Sequence, residues 1–275
     1  MSELEFSVAM CVYGGDDPEW FKAAVDSVTN QTRKPDEIVL VVDGPVPETL
    51  DKIICELESN MIFKVVRLEK NVGHGNARRT CIDACSYSII ALMDADDISA
   101  PDRFEKQLAF FENNAELSVV GSNITEFIGE PENIVARREV PSTDVEIREY
   151  IKRRCPMNHM TVMYRKEDIM KAGGYIDWYC NEDYYLWLRM YLAGLKFANS
   201  KDVFVNVRVG KEMYGRRGGV KYFKSEAKLQ RYMLDNGIIG FGTYTLNVAK
   251  RLIVQVLLPN RLRGWVFRKF ARKKV

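Results

Sequence analysis

The chain opens with short runs of consecutive apolar residues separated by helical stretches, and this alternation constrains its fold more than any other feature. Residues 6–12, 38–42 and 88–93 are almost unbroken apolar segments. Strands of this composition are buried on both faces, as in a parallel sheet covered by helices. Between the first two, residues 18–30 place Trp20, Ala24, Val25 and Val28 on one helical face, and Pro18 suits the first turn. Further helices are expected near 48–59 and 76–85, and a strand near 63–68. The order implies an α/β sandwich built on a mostly parallel sheet.

The second half is less regular. A helix is expected from Pro101 to about 113, a strand region over 117–128 interrupted at Gly121-Ser122, and a helix over 145–154. Residues 161–164 read as a strand and 168–172 as a short helix stopped by Gly173-Gly174. The best helix of this half is 181–192, with Asn181 placed to cap it and Gly194 to close it. Beyond 209, loops alternate with helices. The chain divides into a body, 1–220, and a helical C-terminal extension, 221–275.

Open α/β sheets bind ligands at the carboxyl ends of their strands. Asp94-Ala95-Asp96-Asp97 lies where the 88–93 run stops. Adjacent carboxylates repel one another and resist desolvation, so a buried cluster calls for a cation, and hard oxygen ligands suit Mg²⁺ or Mn²⁺. The alternative is a solvated turn that caps the next helix. Asp43, at the end of 38–42, could accept hydrogen bonds from a nucleotide base or ribose, or simply belong to an Asp-Gly-Pro turn.

Gly73-His74-Gly75-Asn76-Ala77-Arg78 looks like the start of a dinucleotide fingerprint, but Arg78 occupies the third glycine position. Arg78 in the first turns of a helix could face phosphate or lie on a solvated surface. Glu182-Asp183 begins the 181–192 helix, where the dipole favours ionised carboxylates and a general base is well held. Trp187, one turn beyond Asp183, could form a sugar platform or belong to the core. Arg208, Arg216 and Arg217 could close over a diphosphate or be surface charge. His159 could touch metal or acceptor, or be a hydrogen-bonded structural residue.

Together with Ser7-Val8-Ala9-Met10-Cys11-Val12-Tyr13, Gln31-Thr32, Asn71-Val72-Gly73 and Gly173-Gly174-Tyr175, these motifs resemble glycosyltransferase family 2, of the GT-A fold. The resemblance covers about residues 5–220 and is strongest to bacterial enzymes of capsule, exopolysaccharide and O-antigen synthesis. It implies an inverting transfer from a nucleotide-sugar, UDP-linked, to a glycan or lipid-linked acceptor. Val12, Tyr13, Asp43, Arg78, Asp94, Ala95 and Asp96 would form the nucleotide-sugar pocket, Asp96 would hold Mn²⁺ or Mg²⁺, and Asp183 would be the base. Glu182, Trp187, His159, Arg216 and Arg217 would meet the acceptor or the diphosphate. Cys11 replaces the usual proline of the first strand and Arg79 a more usual asparagine. Neither a Gln-x-x-Arg-Trp motif nor transmembrane helices are present in the sequence, which favours single addition over processive synthesis.

No Asp or Glu follows Asp235, whereas Lys250, Arg251, Arg261, Arg263, Arg268, Lys269, Arg272, Lys273 and Lys274 do, interleaved with apolar residues. A basic amphipathic segment suits an anionic membrane surface. Packing back on the body and nucleic-acid binding are the other readings, the last not favoured. The six cysteines never form a C-x-x-C pair, so they are expected to be reduced and mostly buried. With no secretory signal, the expected place is the cytoplasm, at the inner face of the membrane. A nicotinamide-dependent oxidoreductase and a non-catalytic nucleotide- or carbohydrate-binding module stand as rival functions.

Overall fold

The structure, a computed structural model, describes residues 4–210, 218–259 and 262. It begins with β1 (Phe6–Tyr13), α1 (Pro18–Thr29), β2 (Glu37–Asp43), α2 (Glu48–Glu58), β3 (Phe63–Arg67), α3 (His74–Ala84) and β4 (Ile89–Met93). These four strands are parallel, in the order β3-β2-β1-β4. Every residue of β2 is buried, as its apolar composition requires. Ile38, Leu40 and Val42 project into one core and Val39 and Val41 into the other, so both faces of the sheet are covered. The first core gathers Phe21, Val25 and Val28 of α1 with Leu50 and Ile54 of α2. Each such side chain, fully buried, contributes roughly 1.5–3 kcal/mol.

The chain then forms β5 (Ile98–Ser99), α4 (Arg103–Asn113), β6 (Leu117–Phe127), β7 (Ile134–Arg138) and α5 (Asp144–Tyr150). A 3₁₀ turn (His159–Thr161), β8 (Met163–Arg165), α6 (Lys166–Lys171), α7 (Glu182–Leu192) and β9 (Lys196–Arg208) follow. The sheet continues β4-β8-β6-β9-β5, with β7 paired to Ile124–Phe127 at the end of β6. The long ladders are parallel, including β6–β9; β8 is antiparallel to both its neighbours and only three residues long. Leu117–Phe127 thus form one strand rather than an interrupted pair. Gly121 lies inside it because a Cβ there would stand 2.4 Å from Asn199 Oδ1 of β9. Polar residues interrupt the apolar ones along all thirteen residues of β9, which hides the strand from apolar pattern alone.

The extension after 220 is built onto the body. In α8 (Val220–Asp235), Leu229 and Met233 are wholly buried in the same core as Trp187. In α9 (Phe241–Leu252), Asn247 donates to Lys152 O at 3.0 Å. Asn181 holds the position before α7 but does not cap it, because its amide donates to Ser225 Oγ of α8 at 3.1 Å. The cysteines are all free, but Cys81 and Cys85 alone are buried; Cys55 and Cys180 are exposed. Among the described residues no helix is long and apolar enough to cross a membrane. Most of the basic tail, from Arg263 on, lies outside the described residues.

Candidate active site

The register of the first strands sets the site. Tyr13 pairs with Asp43 and Met10 with Met93, so β1, β2 and β4 deliver their carboxyl ends to one edge of the sheet. A cleft of about 560 Å³ opens there, and Val12, Tyr13, Asp43, Arg78, Asp94, Ala95 and Asp96 all line it. Residues separated by more than eighty positions in sequence meet because parallel strands end together.

Asp43 is buried, and its Oδ1 accepts the Val72 N–H at 2.7 Å. Asn71 Nδ2 in turn donates to Asp43 O at 3.3 Å. The turn between them requires Gly44: φ is +86°, and a Cβ would stand 2.5 Å from Asn71 N. Asp43 therefore holds the loop that leads into α3 and Arg78.

Arg78 is 6% exposed and reaches two carboxylates. Its Nη2 donates to Asp94 Oδ1 at 2.8 Å, and its Nη1 stands 3.5 Å from Glu182 Oε1. Burial opposes charge on the guanidinium, but Asp94 and Glu182 keep it protonated. Burial likewise opposes ionisation of Asp94, and Arg78 with the two histidines outweighs it, leaving the carboxyl below its ordinary value. His74, at the start of α3, is pushed down to about 4 by Arg78 and by burial, so it faces the cleft as a neutral imidazole.

Asp96 is raised to about 6 by burial and by the charges of Asp94 and Asp16. Asp16, in the loop after β1, is raised to about 6 chiefly by burial, with Asp94 adding to it. Asp97 belongs to the framework: it is buried, and its Oδ1 accepts the Arg208 N–H at 2.9 Å. Arg208 extends under the site, with Nε donating to Asp96 O at 3.2 Å and its guanidinium 4.6 Å from the rings of both Trp20 and Phe127. Below β4, the buried Arg103 donates from Nη2 to Leu92 O at 2.7 Å and bonds Gln107, bracing the strand that ends at Asp94.

Among the described residues no three His, Cys, Asp or Glu side chains form a ready metal cage. Mg²⁺ and Mn²⁺ in nucleotide sites rarely use one; they take one or two carboxylates, several waters and the substrate phosphates. The Asp16–Asp96 pair, crowded by Asp94 and reluctant to ionise, has the donor chemistry such a cation would relieve.

Three expectations change. Asp183 does not line this cleft; it lines a neighbouring pocket of about 310 Å³, although Glu182 beside it reaches Arg78. Along a helix, adjacent residues diverge by about 100°, so the pair looks two ways. Trp187 is no sugar platform: it is wholly buried, its ring 6.2 Å from that of His159. His159 is itself buried, with Nε2 hydrogen-bonded to Tyr175 Oη at 2.7 Å and its pKa pushed well down by burial and Arg78. It supports the wall beside Arg78 and does not line the cleft. Arg216 and Arg217 lie outside the described residues. Asp16, Asn71 and His74 also line the cleft; the sequence offered Asn71 and His74 only as members of motifs, and Asp16 not at all. The strand-end rule that marks Asp43 applies equally to Asp16, whose turn formers conceal it.

The α/β fold carries a carboxylate-rich cleft at the carboxyl ends of its parallel strands, the place where folds of this class bind their ligands. The chain belongs to glycosyltransferase family 2, whose model matches residues 7–172. It is 35% identical over 264 residues to the amylovoran biosynthesis glycosyltransferase AmsE of Erwinia amylovora, covering 96% of this chain and 98% of that protein. It is also 35% identical over 269 residues to the Escherichia coli UDP-Gal:alpha-D-GlcNAc-diphosphoundecaprenol beta-1,3-galactosyltransferase, covering 98% of this chain and 97% of that one. In fold it resembles S. aureus TarS 1–349 in complex with UDP-GlcNAc, with a TM-score of 0.67 at 17% identity over 91% of this chain and 73% of that chain. It spans 44% of the longer TarS chain.

Proposed function

We propose that this enzyme transfers a sugar, with inversion, from a UDP-sugar to a hydroxyl of a lipid-linked acceptor in bacterial surface polysaccharide synthesis. The observation that carries the reading is the convergence of Asp43, Arg78, Asp94 and Asp96 on one cleft in a family 2 chain. The E. coli relative, named for a UDP-sugar donor, a diphosphoundecaprenol acceptor and a beta linkage, supports the substrate class. Action at the inner face of the cytoplasmic membrane follows from such an acceptor and from the basic tail.

In this mechanism Asp43 and the 71–73 loop hold the nucleoside, and Arg78 keeps Asp94 ionised and oriented toward donor ribose or sugar. Asp96, with Asp16 beside it, would hold Mn²⁺ or Mg²⁺. When bound, that cation offsets the charge developing on the leaving diphosphate. Asp183 Oδ1 accepts the Tyr184 N–H at 2.7 Å, which fixes the carboxylate in the first turn of α7. There it takes the proton from the attacking acceptor hydroxyl, raising its nucleophilicity as the bond to the departing UDP breaks. Separate walls for donor and base suit a displacement in which acceptor and leaving group occupy opposite sides of the sugar.

A panel of nucleotide-sugars, assayed with Mn²⁺ and with Mg²⁺ for release of nucleoside diphosphate, tests the proposal. UDP-sugar turnover that disappears in Asp96→Ala with the fold intact is the expected result. Binding of neither UDP nor a UDP-sugar under any of these conditions would refute it.

A further inference from the structure

We infer that Trp20 is the platform for the transferred sugar, its indole stacking on the apolar C–H face of the donor's hexopyranose ring. The inference rests on the transferase reading above and adds to it the residue that meets the sugar rather than the nucleotide.

By sequence Trp20 shares the apolar face of α1, yet the fold treats it differently from the rest of that face. Phe21, Ala24, Val25 and Val28 are buried, whereas Trp20 is 43% exposed and lines the cleft. A large apolar ring left open to a cleft marks a ligand surface rather than a core position. Tyr13 is the other exposed aromatic residue of the cleft, but its ring is folded over its own loop: a Cβ on Gly15 would stand 2.7 Å from Tyr13 Cε2. The indole is also braced. The Arg208 guanidinium stands 4.6 Å from its ring and from that of Phe127, and is itself fixed by Nε to Asp96 O at 3.2 Å and Nη1 to Gly129 O at 2.7 Å. Asp17 Oδ1 accepts the Glu19 and Trp20 N–H groups at 2.9 and 3.2 Å, which sets the backbone beneath the ring. A ring held in this way loses little freedom when a ligand stacks on it.

Position assigns the ligand. Asp43 and Asn71 lie at the end of β2 and in the loop after β3, whereas the side chains that brace Trp20, Arg208 and Phe127, end β9 and β6 on the far side of β4. A nucleoside held at Asp43 directs its diphosphate across the strand ends toward Asp96, and the sugar comes next, toward Trp20. Arg208 joins the two, since the same guanidinium that meets the indole bonds the backbone of Asp96. The chemistry of the ring agrees with this order. A hexopyranose has an apolar C–H face and a rim of hydroxyls; an indole covers such a face, and offers nothing comparable to a diphosphate.

The test titrates UDP, UDP-galactose, UDP-glucose and UDP-N-acetylglucosamine, each with Mn²⁺, into wild type, Trp20→Ala, Trp20→Leu and Trp20→Phe. The UDP-sugar that wild type binds most tightly should lose at least about tenfold in affinity in Trp20→Ala and Trp20→Leu, and stay within about threefold in Trp20→Phe. The Kd for UDP should move by less than about twofold in all three, because UDP lacks the sugar. Trp20→Leu keeps apolar bulk without a ring face, so it separates stacking from packing. Tryptophan fluorescence gives a second reading that needs only the conservative variant: that UDP-sugar should change the wild-type emission more than UDP does, and the difference should vanish in Trp20→Phe. Equal losses for UDP and the UDP-sugar would put the ring on the nucleotide and overturn the inference. So would an unchanged affinity in Trp20→Ala, the absence of the fluorescence difference in wild type, or a wild type that binds UDP but none of the three UDP-sugars. Wild-type protein that binds no UDP would instead overturn the transferase reading, so the UDP titration separates the two failures.

Discussion

Arg78 Nη2 donates to Asp94 Oδ1 at 2.8 Å while Nη1 of the same guanidinium faces Glu182 Oε1 at 3.5 Å, so one buried side chain ties α3 to the end of β4 and to the start of α7. The cleft at the strand ends and the helix that carries Asp183 are mechanically joined at this point. A lysine could satisfy one of these carboxylates, but not both in this geometry.

Replacing Arg78 by methionine leaves Asp94, whose side chain is 28% exposed, without its partner. Because solvent still reaches the remaining carboxylate, the loss costs about 2 kcal/mol, less than for a fully buried pair. For a chain of this size that lowers Tm by roughly 4–8 °C. UDP affinity should fall at least about tenfold, and Arg78→Lys should recover stability more than affinity. Calorimetric UDP titration and thermal melts on the three proteins check both effects.

Asp183→Asn should reduce kcat by about 10²–10⁴-fold, the range for loss of a general base. Because Asp183 lines a different pocket from the cleft proposed for the nucleotide, the Kd for UDP should stay within about twofold of wild type. Steady-state kinetics with equilibrium UDP binding measures the split; a comparable loss in both would place Asp183 in the donor site.

Metal binding should depend on pH through Asp16 and Asp96. Both are raised from 3.8 to about 6, so below about pH 6 a cation must displace protons from them. The Tm increase on adding Mn²⁺ with UDP should be full at pH 7.5 and shrink as pH falls through 6. Without metal these carboxylates destabilise the fold above pH 6, and protonation relieves that cost between about 6 and 4. His74, lowered to about 4, works the other way: it stays neutral in the fold while the unfolded chain takes up a proton below about 6.5. The metal-dependent increment, not the bare Tm, is therefore the quantity to follow. An increment constant from pH 5 to 8, or retained in Asp96→Ala, would count against this assignment.

Trp187→Ala should act on stability. Removing a fully buried indole costs about 3–5 kcal/mol and lowers Tm by about 10 °C. Trp187→Phe, which keeps most of the packing, should leave the acceptor KM near the wild-type value. A large KM increase in Trp187→Phe with little change in Tm would restore the platform role.

The parallel half of the fold was legible because its signal is local. Residues buried on both faces must be apolar in succession, and 38–42 and 88–93 declare their strands without reference to the rest of the chain. The same locality marked Asp43 and Asp94–Asp97 as strand-end carboxylates and, through the order of motifs, the family itself. What each carboxylate does was not local. Asp97 turned inward because the Arg208 amide, more than a hundred residues away, takes its oxygen. Asp16, written as part of a turn, entered the cleft because β1 ends beside β4.

The sequence alone determined the alternation of strand and helix, the family and the set of acidic residues at strand ends, since period, composition and motif order are properties of neighbouring residues. Only the tertiary structure decided that Glu182 meets Arg78 while Asp183 looks into a second pocket, and that Trp187 is core. Those outcomes depend on the direction in which a helix is docked, and docking is set by the packing of α7 against α8 and the sheet, to which no single segment holds the key.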